Sequence, residues 1–202
     1  QVISRVDWLQ NSKHSLYGRH FILDYRNPAV YSGNILTTSA PGNLERTNSG
    51  TFGDTYTFSP TVLNSAHATF TRRRNDRDAA AGIPTAAELG INIPTLPPAF
   101  VPVTGYFSFA CSNCKTAFFN VNAWSFTDDV DVIRGKHQMG FGVNYIRNQM
   151  NSRNGGQGSY FFTGQYATAK SIAHPLPAFM VRGMNNFSEV PDTQTARRQR
   201  SL

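Results

Sequence analysis

The chain has 202 residues, of which 15% are charged and 12% aromatic, with 15 Phe, 8 Tyr and a net charge of +7. Charge is sparse for a soluble domain, where about a quarter of residues is usual. No run of about 18 apolar residues occurs, which excludes a membrane-spanning helix. It does not exclude a transmembrane barrel, whose strands hide apolar residues by alternation.

The positive charges are scattered, with denser spots at Arg72-Arg73-Arg74 and Arg197-Arg198-Gln199-Arg200. A basic balance suits nucleic acid, anionic lipid or an acidic partner. No nucleic-acid motif flanks either spot, so no nucleic-acid partner is expected. The opening residues Gln1-Val2-Ile3 carry neither a charged n-region nor an apolar h-region. For an exported protein the expectation is therefore a trimmed chain or an internal piece.

Period-two patterning dominates the chain. In a first predicted hairpin, about residues 1–26, Val2, Val6 and Trp8 alternate with Arg5 and Asp7. Gln10 to Lys13 turns the chain, and Tyr17, Phe21, Leu23 and Tyr25 then share a face. In a second, about 50–74, Phe52, Tyr56 and Phe58 alternate with Thr51, Gly53, Thr55 and Thr57. Ser59-Pro60-Thr61 makes its turn, because proline fixes φ and offers no N–H to a ladder. In a third, about 117–150, Trp124, Phe126, Val130 and Val132 oppose Ser125, Thr127, Asp129 and Asp131. After Gly135, whose tolerance of positive φ suits a tight turn, Met139, Phe141, Val143 and Tyr145 alternate with Gln138, Gly140, Gly142 and Asn144. A further strand is predicted over 159–166, and 167–202 is read as a continuation of the same architecture.

The connections alternate in length. The hairpin turns are about three to four residues, whereas Asn27 to Ser49, Asn75 to about Thr116 and Asn151 to Gly158 are long links. Long structureless loops are uncommon in compact domains. Strict alternation of short and long is the layout of an outer-membrane barrel, with short periplasmic turns and long extracellular loops. Strands of about 10 to 13 residues fit a tilted bilayer crossing. Within the longest link, Thr85-Ala86-Ala87-Glu88 has capping-box spacing and Gly90 a stop, predicting one helical turn. Ile93 to Pro98 reads as extended chain held open by proline.

Arg5-Val6-Asp7-Trp8, His14-Ser15-Leu16-Tyr17-Gly18-Arg19, Gly53 through Thr61 and Ile133 through Gly142, taken in order, resemble TonB-dependent outer-membrane receptors of the Oar-like subgroup. The likeness covers roughly residues 1 to 165. It implies a barrel of about 22 strands, a plug, and energy from an inner-membrane coupling protein reached through segments outside these residues. Residues 167–183 depart from that family's pattern, through divergence or an error in the sequence.

Candidate sites are few. Cys111-Ser112-Asn113-Cys114 has the spacing of half a zinc site or a redox pair, but no second pair of ligands lies nearby. Outside the cell the expectation is a disulfide pinning the loop, with free thiols as the other reading. Asp128, Asp129 and Asp131 cluster before a turn without the pattern of a calcium loop. His67, Ser65 and His137 lack the remaining members of a nucleophilic constellation. Arg72, Arg73, Arg74 and Arg77 lie where the second hairpin meets its long loop; arginine pairs bidentately with phosphate, so contact with lipopolysaccharide phosphates is one expectation and a merely solvated rim the other. Tyr17, Tyr25, Tyr56, Trp8 and Trp124 suit interfacial girdles.

The resulting expectation is an all-β, antiparallel transmembrane β-barrel fragment of about seven meandering strands, in the bacterial outer membrane. It would belong to a transporter of a bulky nutrient, with no catalytic residues, metal or cofactor. The competing reading is a secreted or periplasmic β-sandwich that binds a ligand such as carbohydrate.

Overall fold

A computed structural model describes residues 1–36, 41–93, 99–110, 114–164, 174–180, 182 and 184–201. Its elements are β1 (Val2–Asn11), β2 (His14–Asn27), β3 (Gly42–Ser59), β4 (Val62–Asp78), β5 (Val101–Val103), β6 (Phe107–Phe109), β7 (Ala117–Arg134), β8 (His137–Asn154), β9 (Gln157–Phe161), α1 (Pro175–Met180), β10 (Asn186–Val190) and β11 (Thr193–Ser201). Seven strands form one antiparallel sheet in the order β1-β2-β3-β4-β7-β8-β11, with β1 and β11 as its edges. The sandwich alternative needs a second sheet packed face to face on the first. Among the described residues the seven-stranded sheet has no such partner.

The three hairpin turns sit at one end of the sheet and are tighter than expected. Arg134 pairs directly with His137, so Gly135-Lys136 is a two-residue loop. Gly135 there takes a φ of 62°, which its missing Cβ permits. In the first turn the Lys13 N–H donates to Asn11 Oδ1 at 2.8 Å. In the second the Thr61 N–H donates to Ser59 Oγ at 3.3 Å. Short polar side chains thus satisfy the turn backbone locally.

The strands are longer than the sequence pattern implied. β3, β7 and β8 have 18 residues each and β4 has 17. At about 3.3 Å per residue they reach well beyond a bilayer on the side away from the turns. The first long link is shorter than expected, because β3 already begins at Gly42.

The predicted strand over 159–166 is corrected in both place and partner. The strand at Gln157–Phe161 pairs with β10 in a separate two-stranded sheet. The seventh wall strand is β11, whose Arg198 lies opposite Gln149 and Ser201 opposite Ile146. Residues 165–173, 181 and 183, part of the stretch that departs from the family pattern, lie outside the described residues.

The buried core lies in the loops. Ala99, Val101, Val103 and Tyr160 are almost fully buried, and Phe107, Phe109, Phe179 and Phe187 pack against that cluster. Parallel bridges Phe100↔Ser159 and Val103↔Phe162 join β5 to β9. The second and third long loops, 79–116 and 155–192, therefore share one small core at the end opposite the turns. The first loop joins through the Ala110 N–H, which donates to the Ile35 carbonyl at 3.0 Å. The predicted helical turn is present: Leu89 N–H bonds Thr85 O at 3.2 Å, and Thr85 and Glu88 form the reciprocal cap.

Candidate functional site

Because successive side chains alternate, the register assigns every wall residue to one of two faces. One face carries Val6, Trp8, Phe52, Phe70, Trp124, Phe126 and Phe141, all exposed on this chain. The pairings Gly18↔Phe52, Phe52↔Ala68, Ala68↔Phe126 and Phe126↔Tyr145 run this band across five strands. A continuous exposed band of large apolar groups is what a lipid-facing wall presents.

The band has a sharp upper edge. On each strand rising from a turn, the first outward Asp, Glu, Lys or Arg comes ten residues after the strand begins: Asp24 after His14, Arg72 after Val62 and Arg147 after His137. Ten residues rise about 33 Å along a strand, or about 25 Å at a tilt near 40°. That is the height of the apolar belt of an outer-membrane barrel. Two carboxylates inside the band lie near its turn side and are bonded. Asp54 lies 2.8 Å from His14 Nε2, and Asp128 accepts from Asn64 Nδ2 at 2.6 Å.

The opposite face is polar. Ser49 and Thr71 hydroxyls meet at 2.8 Å, Thr51 and Thr69 at 3.1 Å, and Thr127 donates to Asn144 at 3.3 Å. Arg5 lies over the Tyr17 ring at 4.4 Å while its guanidinium pairs with Asp7 at 2.7 Å. Gly53 gives Tyr17 room, since a Cβ there would collide with the ring. Hydroxyls, amides and paired charges suit a water-filled or plugged lumen, where they exchange hydrogen bonds with whatever fills it.

The sequence-predicted residues fall unevenly on these faces. Arg72 and Arg74 share the outward parity of Phe70, whereas Arg73 and Arg77 share the polar face with Thr71. Arg73 is held by Glu45 at 2.8 Å, Arg74 by Asp76 at 2.6 Å, and Arg77 lies 5.9 Å from the Phe119 ring. The four arginines are thus not one patch. Asp128 is likewise separated from Asp129 and Asp131, which line the polar face opposite Gly142 and Gly140. Ser65 and His67 are on the polar face, with His67 6.0 Å from the Tyr17 ring, while His137 lies on the apolar side at a turn. Of the five girdle candidates, Trp8 and Tyr56 lie outward near the turns and Trp124 outward at the upper edge. Tyr17 and Tyr25 are on the polar face. Cys114 is fully buried at the foot of the loop before β7; its expected partner Cys111 lies outside the described residues.

Arg147 is not among the candidates read from the sequence, where the C-terminal arginines figure only as a basic cluster. Arg147 lies 5.6 Å from the Trp124 ring. Arg200 is opposite Arg147, and Arg198 opposite Gln149, on the outward face. Parity counted on from Tyr145 reaches Arg147, but nothing local marks β11 as the next wall strand.

A barrel wall with a lipid face, a polar face and a loop crown is now defined. All 202 residues match the family model described as "Outer membrane beta barrel domain", and the chain belongs to that family of the bacterial outer membrane. Among solved structures it is similar in fold to the outer membrane transporter YddB from Escherichia coli, with a TM-score of 0.56 and 9% sequence identity. The match covers 97% of this chain and 23% of that transporter, so the chain spans less than a quarter of its length. No curated protein matches.

Proposed function

We propose that the chain is part of the barrel of a TonB-dependent transporter that imports a bulky nutrient. The observation that carries this reading is the polar inner face, with hydroxyl pairs between β3 and β4, the Thr127–Asn144 hydrogen bond between β7 and β8, and the Arg5–Asp7–Tyr17 group. A wide wall of long strands under a structured loop crown suits a large lumen filled by a plug better than a small closed barrel. Passage through it needs no bond to be made or broken, so the proposal assigns no catalytic residue. Contact with an inner-membrane energy-coupling protein would be made by segments outside these residues. A Cys111–Cys114 disulfide is part of the proposal, as a staple of the loop crown in an oxidising setting.

The test is conductance. The whole protein, purified from outer membranes and inserted in planar bilayers, is expected to hold the membrane closed to ions. Its import in cells is expected to stop when the inner-membrane coupling protein is deleted. A large steady conductance, or import that survives that deletion, overturns the reading in favour of an open pore.

A further inference from the structure

We propose that Arg19, on the polar face halfway up the membrane, is the centre of a binding site for a nutrient that carries a carboxylate on an apolar body. The proposal rests on the transport reading, because it takes the lumen to be the nutrient's path.

Depth and face come first. Arg19 is five residues beyond His14, where β2 leaves its turn. That is about 13 Å up a strand tilted near 40°, the middle of the apolar band on the opposite face. Register places Arg5, Arg19, Thr51 and Thr69 on one row of the polar face. Phe21, Ser49 and Thr71 lie on the next row away from the turns. Arg5 and Arg19 therefore stand directly opposite each other on neighbouring strands, where like charges repel.

Only one of the two is compensated. The Arg5 Nη2 lies 2.7 Å from Asp7 Oδ1, and its Nε lies 3.0 Å from each Asp7 carboxylate oxygen. The same guanidinium sits 4.4 Å over the Tyr17 ring. Asp7 and Tyr17 are both one row nearer the turns, so Arg5 leans away from Arg19. On these two rows and the rows adjoining them, Asp7 is the single carboxylate among the described residues. The Arg19 side chain makes no ion pair or hydrogen bond among the described residues. One positive charge is thus left facing the lumen at a depth where the other side of the wall is hydrocarbon. A low dielectric nearby strengthens its attraction for an anion.

The surroundings are shaped for one. Arg19, Phe21, Ser49 and Thr51 line a concavity of about 250 Å³. The Ser49 and Thr71 hydroxyls meet at 2.8 Å, and those of Thr51 and Thr69 at 3.1 Å. Each pair spends one of its two hydroxyl hydrogens, and the other remains to donate. The planar fork of Arg19 and these hydroxyls are donors for carboxylate oxygens, and the Phe21 ring is an apolar wall beside them. One uncompensated cation matches the single negative charge of a carboxylate better than the nearly double charge of a phosphate group.

The test is arginine-specific modification by phenylglyoxal of the whole protein, purified from outer membranes in mild detergent. Peptide mapping reads each arginine separately. Arg19 is expected to be modified readily, and benzoate to slow that modification about tenfold at ten times its dissociation constant. Acetate should protect less well and the uncharged benzamide not at all. Arg73, on the same face but held by Glu45 at 2.8 Å, should gain no protection from benzoate. Phe21→Ala should weaken protection by benzoate about tenfold, toward that of acetate, with heat-modifiable gel migration showing that the barrel has folded. An Arg19 that resists modification without any added anion overturns the proposal, since another segment of the protein then occupies it. Protection by benzamide equal to that by benzoate overturns it, as does stronger protection by inorganic phosphate. The assay needs no energy coupling. Its failure therefore leaves the conductance and deletion tests of the transport reading standing, and their failure leaves an anion site on the wall of an open pore.

Discussion

The barrel wall and the loop crown are built on opposite principles. In the wall almost nothing is fully buried on this chain: β1 is exposed throughout, and Phe52, Phe58 and Phe141 are exposed although strongly apolar. Its order comes from backbone ladders, and its apolar groups are satisfied by lipid. In the crown Tyr160, Val103 and Ala178 have 1% exposure or less, and short strands hold together through a shared side-chain core. A wall can therefore tolerate loss of a side chain but not a charge on its lipid face, whereas a crown behaves like a small soluble domain.

The largest effect should come from the crown. Tyr160→Ala removes a ring that packs on Phe187 at 5.2 Å. Removing such a ring typically costs about 3–5 kcal/mol. Limited proteolysis should cut within 79–116 and 155–192, while the wall keeps its heat-modifiable migration. Simultaneous loss of both would mean that the two regions are one cooperative unit.

A charge swap one residue apart tests the faces of the wall. Ala68→Arg sets a guanidinium in the apolar band between Phe52 and Phe126, at about 2–4 kcal/mol in mid-membrane. Thr69→Arg, on the polar face beside Thr51 and Ser125, should cost much less. Urea unfolding in lipid vesicles reads the difference, and equal losses would remove the face assignment.

A smaller effect is expected at the third turn. Gly135→Ala forces a Cβ into the left-handed region at φ 62°, at about 1–2 kcal/mol. The same unfolding assay should show a lower midpoint with an unchanged denaturant slope.

The smallest effect is acid loosening of the crown alone. Hydrogen bonds from the Thr85 backbone N–H and hydroxyl hold the Glu88 carboxyl below its usual range, and the Arg153 guanidinium does the same for Asp192. Groups with depressed pKa values stabilise fully above their unfolded pKa and lose that contribution as pH falls through the folded one. Amide protection at residues 85–91, measured against the intrinsic exchange rate at each pH, should therefore fall on acidification below the ordinary carboxylate range. Exchange in the apolar band of the wall should not follow. If Glu88→Gln shows the same pH response as the native chain, the cap is not its source.

The alternating residues of β3, β4, β7 and β8 determined the all-β class, the short turns and the polar-against-apolar faces. They did so because a strand with two environments writes period two into the sequence. The same physics explains where strand ends were misplaced. Beyond Arg72 polar residues occupy both parities of β4, so the pattern fades there although the ladder continues to Arg77 opposite Ala117. The split of Arg72 and Arg74 from Arg73 and Arg77 was also legible, by counting parity on from Phe70.

Tertiary structure alone decided the rest. That Thr193–Ser201 rather than 159–166 follows β8 depends on the loop folding onto itself, which no local pattern encodes. The same is true of the core shared by loops 79–116 and 155–192, whose halves meet from distant parts of the chain. The bringing of Arg147, Arg198 and Arg200 beside Arg72 follows from strand order, and hydrogen bonds between strands, not the residues within one, set that order.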